Sequence, residues 1–182
     1  AGDSELGERF LTLVDPMRYP DGGVAPDALR EMRRLKARME GERLPKGADP
    51  TLHTTLGRGG LSDVEWTVQL LQMQHGHAVP AVQGSSTLPA LRNLLQAGLI
   101  GERDAHRLAA AWKLATEVRN ATVLVSGRQS DSVPSNLQEL AAVARVVNRP
   151  VEEAPSYLTE EYRRVTRRAR RVVERLFFGV ED

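Results

Sequence analysis

GRGGLSDVEW, residues 57–66, decides how this chain is read, because a loop and a helix meet inside it. Glycines at 57, 59 and 60 free the backbone to take positive φ or to pass close to a phosphate or another segment. A helix is expected to follow. Ser62 and Glu65 have the S-x-x-E spacing of a capping box, with Leu61 and Trp66 placed as the flanking hydrophobic staple. Val64, Val68 and Leu71 then share one face, Leu70 and Met73 widen it, and Gly76 and Pro80 end the helix.

The same three-and-four spacing continues downstream, and strict alternation over a strand's length is missing. Ser86 or Thr87 can cap a helix carrying Leu88, Leu91, Leu94 and Leu95, with Gly98 as its C′ stop. The longest helix is expected over 102–125, where Ala111, Leu114, Val118, Ala121 and Val125 make the seam of a bundle. A polar loop over 127–133 leads to a second capping box, Ser135 and Gln138, ahead of Leu137, Leu140 and Val143. The last helix, over 156–178, repeats the seam with Leu158, Tyr162, Val165, Ala169, Val172 and Leu176.

Upstream, a short helix over 4–14 carries Leu6, Phe10 and Leu13 and is expected to stop before Pro16. YPDGG at 19–23 makes a turn. Pro26 suits the first position of a second helix, whose Leu29, Met32, Leu35 and Met39 form a stripe beneath Arg30, Arg33, Arg34 and Arg38. Residues 43–60 read as a loop with a short extended piece at 52–56. The fold class is therefore all-α: a bundle of about five antiparallel helices over 57–182, preceded by two connecting helices and a loop over 1–56.

With 182 residues, 41% of them hydrophobic, the chain can bury one substantial core. A net charge of +1 gives no global pull toward nucleic acid or a membrane surface, so only local patches matter. Cysteine is absent, which excludes disulfides and thiolate zinc sites and fits a reducing compartment. Nothing resembles a signal peptide or a membrane-spanning helix, and a cytoplasmic location is expected. The chain opens on Ala1, and AGDSELGERF reads as the middle of a helical region, so a C-terminal piece of a longer protein is expected.

Asp63 and Glu65 invite a reading as a magnesium-binding D-x-E pair. On a strand, residues i and i+2 share a face; on a helix they point roughly 200° apart, which defeats the pair. Glu65 is read as a capping carboxylate. Asp63 is open to two readings, an acid favoured by the helix dipole or a site residue. Arg58, between glycines at a helix start, can offer a guanidinium and free N–H groups to an anion, so Arg58, Gly59, Gly60 and Asp63 form a nucleotide-side candidate set. Arg163, Arg164, Arg167, Arg168, Arg170, Arg171 and Arg175 crowd the last helix. They make either a solvated outer face or, through Arg163, Arg164, Arg167, Arg168 and Arg171, a surface for an acidic protein partner. Nucleic acid is disfavoured because no aromatics are interleaved. His75 and His77 lack further ligands nearby, and no G-x-S-x-G elbow singles out a nucleophile.

Gly59-Gly60-Leu61-x-Asp63-Val64-Glu65-Trp66, with Gln69 on the same helix, resembles the GGL-x-D-I-E-F segment of glutamine synthetase adenylyltransferases, and more loosely that of PII uridylyltransferases. Residues 87–98, Ala111-Trp112, LQELA at 137–141 and the arginine-rich helix follow in the same order, so the resemblance covers essentially the whole chain. It departs at His53-Thr54-Thr55, where a lysine is usual, and at Thr116, Arg119 and Ala121. In that family such a segment opens the helical domain that follows the nucleotidyltransferase core, whose Gly-Ser loop and D-x-D are absent from these residues. The resemblance implies an enzyme that moves AMP from ATP, with magnesium, to a tyrosine of glutamine synthetase, and in bifunctional members removes it by phosphorolysis. It implies no catalytic residue, metal or cofactor in this chain, which is expected to be inactive alone. The implied partners are glutamine synthetase, a PII signal protein and the enzyme's own catalytic core. The alternative is a non-catalytic helical adaptor that binds a protein partner.

Overall fold

Residues 2–150 and 156–180 are described by a computed structural model, and every regular element among them is helical. In chain order these are α1 (Ser4–Arg18), α2 (Pro26–Glu42), α3 (Leu61–His75), α4 (Thr87–Gln96), α5 (Glu102–Ser126), α6 (Leu137–Val146) and α7 (Tyr157–Val173). A 3-10 turn, Pro80–Val82, lies between α3 and α4, and a π-type turn, Glu174–Phe178, prolongs α7.

The expected seams form the interior. In α5, Leu108, Ala111, Leu114, Val118 and Ala121 are buried, and in α7 Leu158, Tyr162, Ala169 and Val172 are buried opposite them. Two apolar clusters share these two helices. The first joins Val64, Val68 and Leu71 of α3, Leu91 and Leu94 of α4, the start of α5 and the end of α7 with Phe177. The second joins Leu61, the later part of α5, Leu140 and Val143 of α6 and the start of α7. Trp112 and Val165 pack against both clusters. α4 ends as expected: Gly98 takes φ +70°, its N–H reaches the Leu95 carbonyl at 3.0 Å, and the Leu99 N–H reaches Leu94 at 2.9 Å. No helix among the described residues is long and apolar enough to cross a membrane.

Several local expectations are corrected. α1 runs through Pro16 to Arg18. Proline deprives the Thr12 carbonyl of its helical donor, but Thr12 is exposed, so water can replace it. The helix buries none of its residues, and Leu6, Phe10, Leu13 and Met17 stand on its surface. In α2 the stripe rotates: Leu29 and Met32 pack on the first cluster, Leu35 is exposed, and the one buried residue is Lys36. α6 is capped by Asn136, whose Oδ1 accepts from the N–H groups of Gln138 at 2.9 Å and Glu139 at 3.1 Å, not by Ser135. An Asn one residue nearer the first turn reaches both orphan donors directly. Leu137, expected on the inner face, is exposed. The extended piece over 52–56 shrinks to an isolated antiparallel bridge between His53 and Ser132, flanked by bonds from Val133 N to Leu52 O and from Thr54 N to Asp131 O.

Candidate functional site

The glycine-rich loop folds back on itself and caps α3 with its own carbonyls. The Gly57 N–H reaches His53 O, Arg58 N–H reaches Pro50 O, and Gly60 N–H reaches Gly57 O. The N–H groups of Leu61 and Ser62, first in the helix, donate to Thr54 O at 2.9 Å and Thr55 O at 3.0 Å. This corrects the capping box. Gly60 is the cap residue and no side chain caps the helix, because Ser62 already lies inside it. The Glu65 carboxylate instead accepts from Trp112 Nε1 at 3.2 Å. The staple is also absent: Leu61 enters the second cluster, whereas Trp66 packs edge-on against Phe177 at 6.1 Å in the first.

Each glycine of the signature sits where a side chain would collide with backbone. A Cβ on Gly57 would lie 2.1 Å from His53 O, and one on Gly60 would lie 2.6 Å from Thr54 O. Gly59, at φ +74°, is pressed against α7: its Cβ would lie 2.0 Å from Thr166 O. The signature therefore brings the loop onto the arginine-rich helix.

Beneath this contact lies a buried ionic junction. Asp63, 1% exposed, accepts from Lys36 Nζ at 2.5 Å, Arg170 Nη1 at 2.9 Å and Gly59 N at 2.7 Å. Lys36, 2% exposed, also meets Glu40 at 2.8 Å. Arg170 meets Glu40 at 3.0 Å and, through Nε, Glu174 at 3.0 Å, while its guanidinium lies over the Phe178 ring. Burial by itself would raise the Asp63 pKa, but the charges of Lys36 and Arg170 and the hydrogen bonds from Lys36 and Gly59 prevail and hold it below the ordinary value. Arg170 follows the same logic with the sign reversed: burial works against its charge, and Asp63 and Glu40 raise its pKa. Tyr162 is pushed up by burial, with the Asp63 charge adding to it. Asp63 and Glu65 thus face different surroundings, and no three His, Asp or Glu side chains gather as metal ligands among the described residues.

Sequence reasoning missed Lys36 and Glu40. The signal was present: Lys36 occupies the inner line of α2 with Leu29 and Met32, and a lysine on an apolar face requires a buried acid. That acid is Asp63, which the sequence leaves open between a helix-dipole role and a nucleotide-side role and which the fold uses to neutralise Lys36 and Arg170.

The arginines of α7 and of the π-type turn that prolongs it divide into two groups. Arg163 pairs with Asp49 at 3.1 Å and Glu160 at 3.4 Å, Arg170 enters the junction, and Arg175 pairs with Asp104. The Asp49 carboxyl is held below its ordinary pKa by the Thr51 hydroxyl and N–H, with Arg163 adding to the effect. Arg164, Arg167, Arg168 and Arg171 are exposed and meet no carboxylate among the described residues. Exposed Arg58 joins Arg163, Arg167, Arg170 and Arg171 along one cleft of about 690 Å³ between the 49–58 loop and α7. Two groups that were separate in the sequence are thus adjacent in space. Gly59 and Gly60 lie buried at the edge of this region with their N–H groups bonded to Asp63 and Gly57, and Asp63 lies beneath it.

A sequence profile described as GlnD PII-uridylyltransferase matches residues 30–177. Proteins named bifunctional glutamine synthetase adenylyltransferase/adenylyl-removing enzyme are similar across nearly the whole chain. That of Streptomyces avermitilis is 59% identical over 98% of this chain, that of Nocardia farcinica 53% over 97%, and that of Mycolicibacterium smegmatis 51% over 98%. The chain spans 18% of the length of each of these relatives.

Proposed function

Because this chain belongs to the GlnD PII-uridylyltransferase family, we propose that it serves as the helical module of a glutamine synthetase adenylyltransferase/adenylyl-removing enzyme. The supporting observation is identity of 51–59% along 97–98% of the chain, confined to 18% of the relatives' length. The parent enzyme transfers AMP from ATP to a tyrosine hydroxyl of glutamine synthetase, in the cytoplasm, and removes it again. The chain itself is non-catalytic. Its residues do not fit a magnesium site, since Asp63 is already satisfied by two cations and an amide and Glu65 by Trp112. Magnesium and ATP chemistry are assigned to the enzyme's nucleotidyltransferase core.

The module's contribution is positional. The junction of Lys36, Asp63 and Arg170 fixes α2, the signature loop and α7 to one another, and gives the core a rigid surface to rest on. Arg164 and Arg168, exposed on α7 and outside the cleft, supply a docking face for glutamine synthetase, and a PII signal protein acts on the assembled enzyme.

The test is AMP transfer. The chain is incubated with glutamine synthetase, magnesium and labelled ATP, alone and then together with a separately produced nucleotidyltransferase core. Label is expected only when both pieces are present. Labelling by the chain alone, or full labelling by the core without it, refutes the proposal.

A further inference from the structure

The cleft between the 49–58 loop and α7 is lined by five arginines, Arg58, Arg163, Arg167, Arg170 and Arg171, against three carboxylates, Asp49, Glu160 and Glu174, and so carries an excess of positive charge among the described residues. Arg163 and Arg170 are held by carboxylates and serve as walls. Arg58, Arg167 and Arg171 line the same cleft and have no acidic partner among the described residues. Their placement is built. The close approach of Gly59 to Thr166 sets Arg58 beside α7, and the bond from Arg58 N–H to Pro50 O fixes its backbone. Arg167 and Arg171 are one helical turn apart and present neighbouring guanidiniums.

We propose that this cleft binds a phosphate-bearing anion through Arg58, Arg167 and Arg171. A recess of about 690 Å³ suits a compact polyanion better than a flat protein face does. Guanidinium forks match phosphate oxygens in pairs, and one phosphate chain can answer three cations that meet no acid among the described residues, whereas a carboxylate side chain brings a single charge. The phosphate comes either from a nucleotide or from inorganic phosphate, and the shared chemistry is the tetrahedral oxyanion. The inference goes beyond the proposed module role and does not depend on it.

Calorimetric titration of the 182-residue chain without magnesium provides the test, with tripolyphosphate as the first probe. One saturable site is expected, weakened about tenfold by Arg58→Ala and about a hundredfold by Arg167→Ala with Arg171→Ala, roughly tenfold per guanidinium. Arg164→Ala, outside the cleft, should leave binding intact. ATP displacing tripolyphosphate identifies a nucleotide as the source; orthophosphate displacing it where ATP does not identifies inorganic phosphate. Either result supports the site. Absence of saturable binding overturns it, as does binding unaltered by the double variant when its unfolding midpoint is unchanged. A glutamate-rich peptide that binds as tightly and depends on the same arginines also overturns it, in favour of a protein-docking face. None of these failures bears on AMP transfer, which reads the module proposal separately.

Discussion

Replacing Asp63 by Asn tests the junction most sharply, since it keeps the shape of the side chain and removes its charge. The carboxylate is 1% exposed and receives two cations, at 2.5 Å from Lys36 and 2.9 Å from Arg170. In Asp63→Asn the amide oxygen can still accept from Gly59, and Arg170 keeps Glu40 and Glu174. Lys36, 2% exposed, keeps only Glu40. Breaking a buried ion pair from one side costs about 3–5 kcal/mol, and the remaining acid places this variant near the lower limit, at about 3 kcal/mol. For a chain of this length that corresponds to a fall in Tm of about 6–12 °C. Urea unfolding should show the loss, and Lys36→Met in the Asp63→Asn background should recover at least about 1 kcal/mol by removing the stranded ammonium. A loss under about 1 kcal/mol, or a double variant whose cost is the sum of the two singles, refutes the account of a coupled buried junction.

The pH dependence has a definite sign at two sites. The Asp63 pKa is lowered by folding, so its contribution is complete above the ordinary value of 3.8 and disappears as pH falls below it; in Asp63→Asn the acid limb of the stability curve should flatten. His53, 4% exposed, has its pKa lowered by burial, with Asp131 opposing, and its Nδ1 accepts the Leu56 N–H at 3.0 Å. Stability from the neutral ring should be complete above 6.5 and decline as pH falls below it, and denaturant titrations should show this decline diminished in His53→Gln. Gly59→Ala should cost more than about 2 kcal/mol, because positive φ and a clash with α7 act together. Gly47→Ala, at φ +82° in open space, should cost only about 1 kcal/mol, and equal losses in thermal melts would remove the steric argument. Asn136→Ala should cost about 1 kcal/mol and Ser135→Ala less than about 0.5 kcal/mol; the reverse order would restore the serine cap.

What the sequence disclosed and what it withheld follow from the range of the forces involved. Seam residues such as Leu114, Val118 and Tyr162 were legible because helical period and burial are repeated several times along α5 and α7. Family membership was legible in the signature and is now supported along the chain. Caps were misread because S-x-x-E spacing at 62–65 competes with carbonyls supplied from residues 54 and 55, a contact that no local pattern announces. Lys36 and Asp63 are 27 positions apart, and Arg170 is 107 beyond Asp63, so their pairing could be anticipated only by asking what a lysine on an inner stripe requires. The relation of Arg58 to Arg167 was hidden for the same reason, and it is Gly59 packing on Thr166 that creates it.

α5 and α7 are shared by both apolar clusters, and Trp112 lies where the clusters meet. Neither half of the molecule therefore owns a complete interior. Amide protons in the middle of α5 should exchange only by whole-molecule opening, and trimming away α7 should melt the far ends of the domain in a single step rather than leave a surviving half.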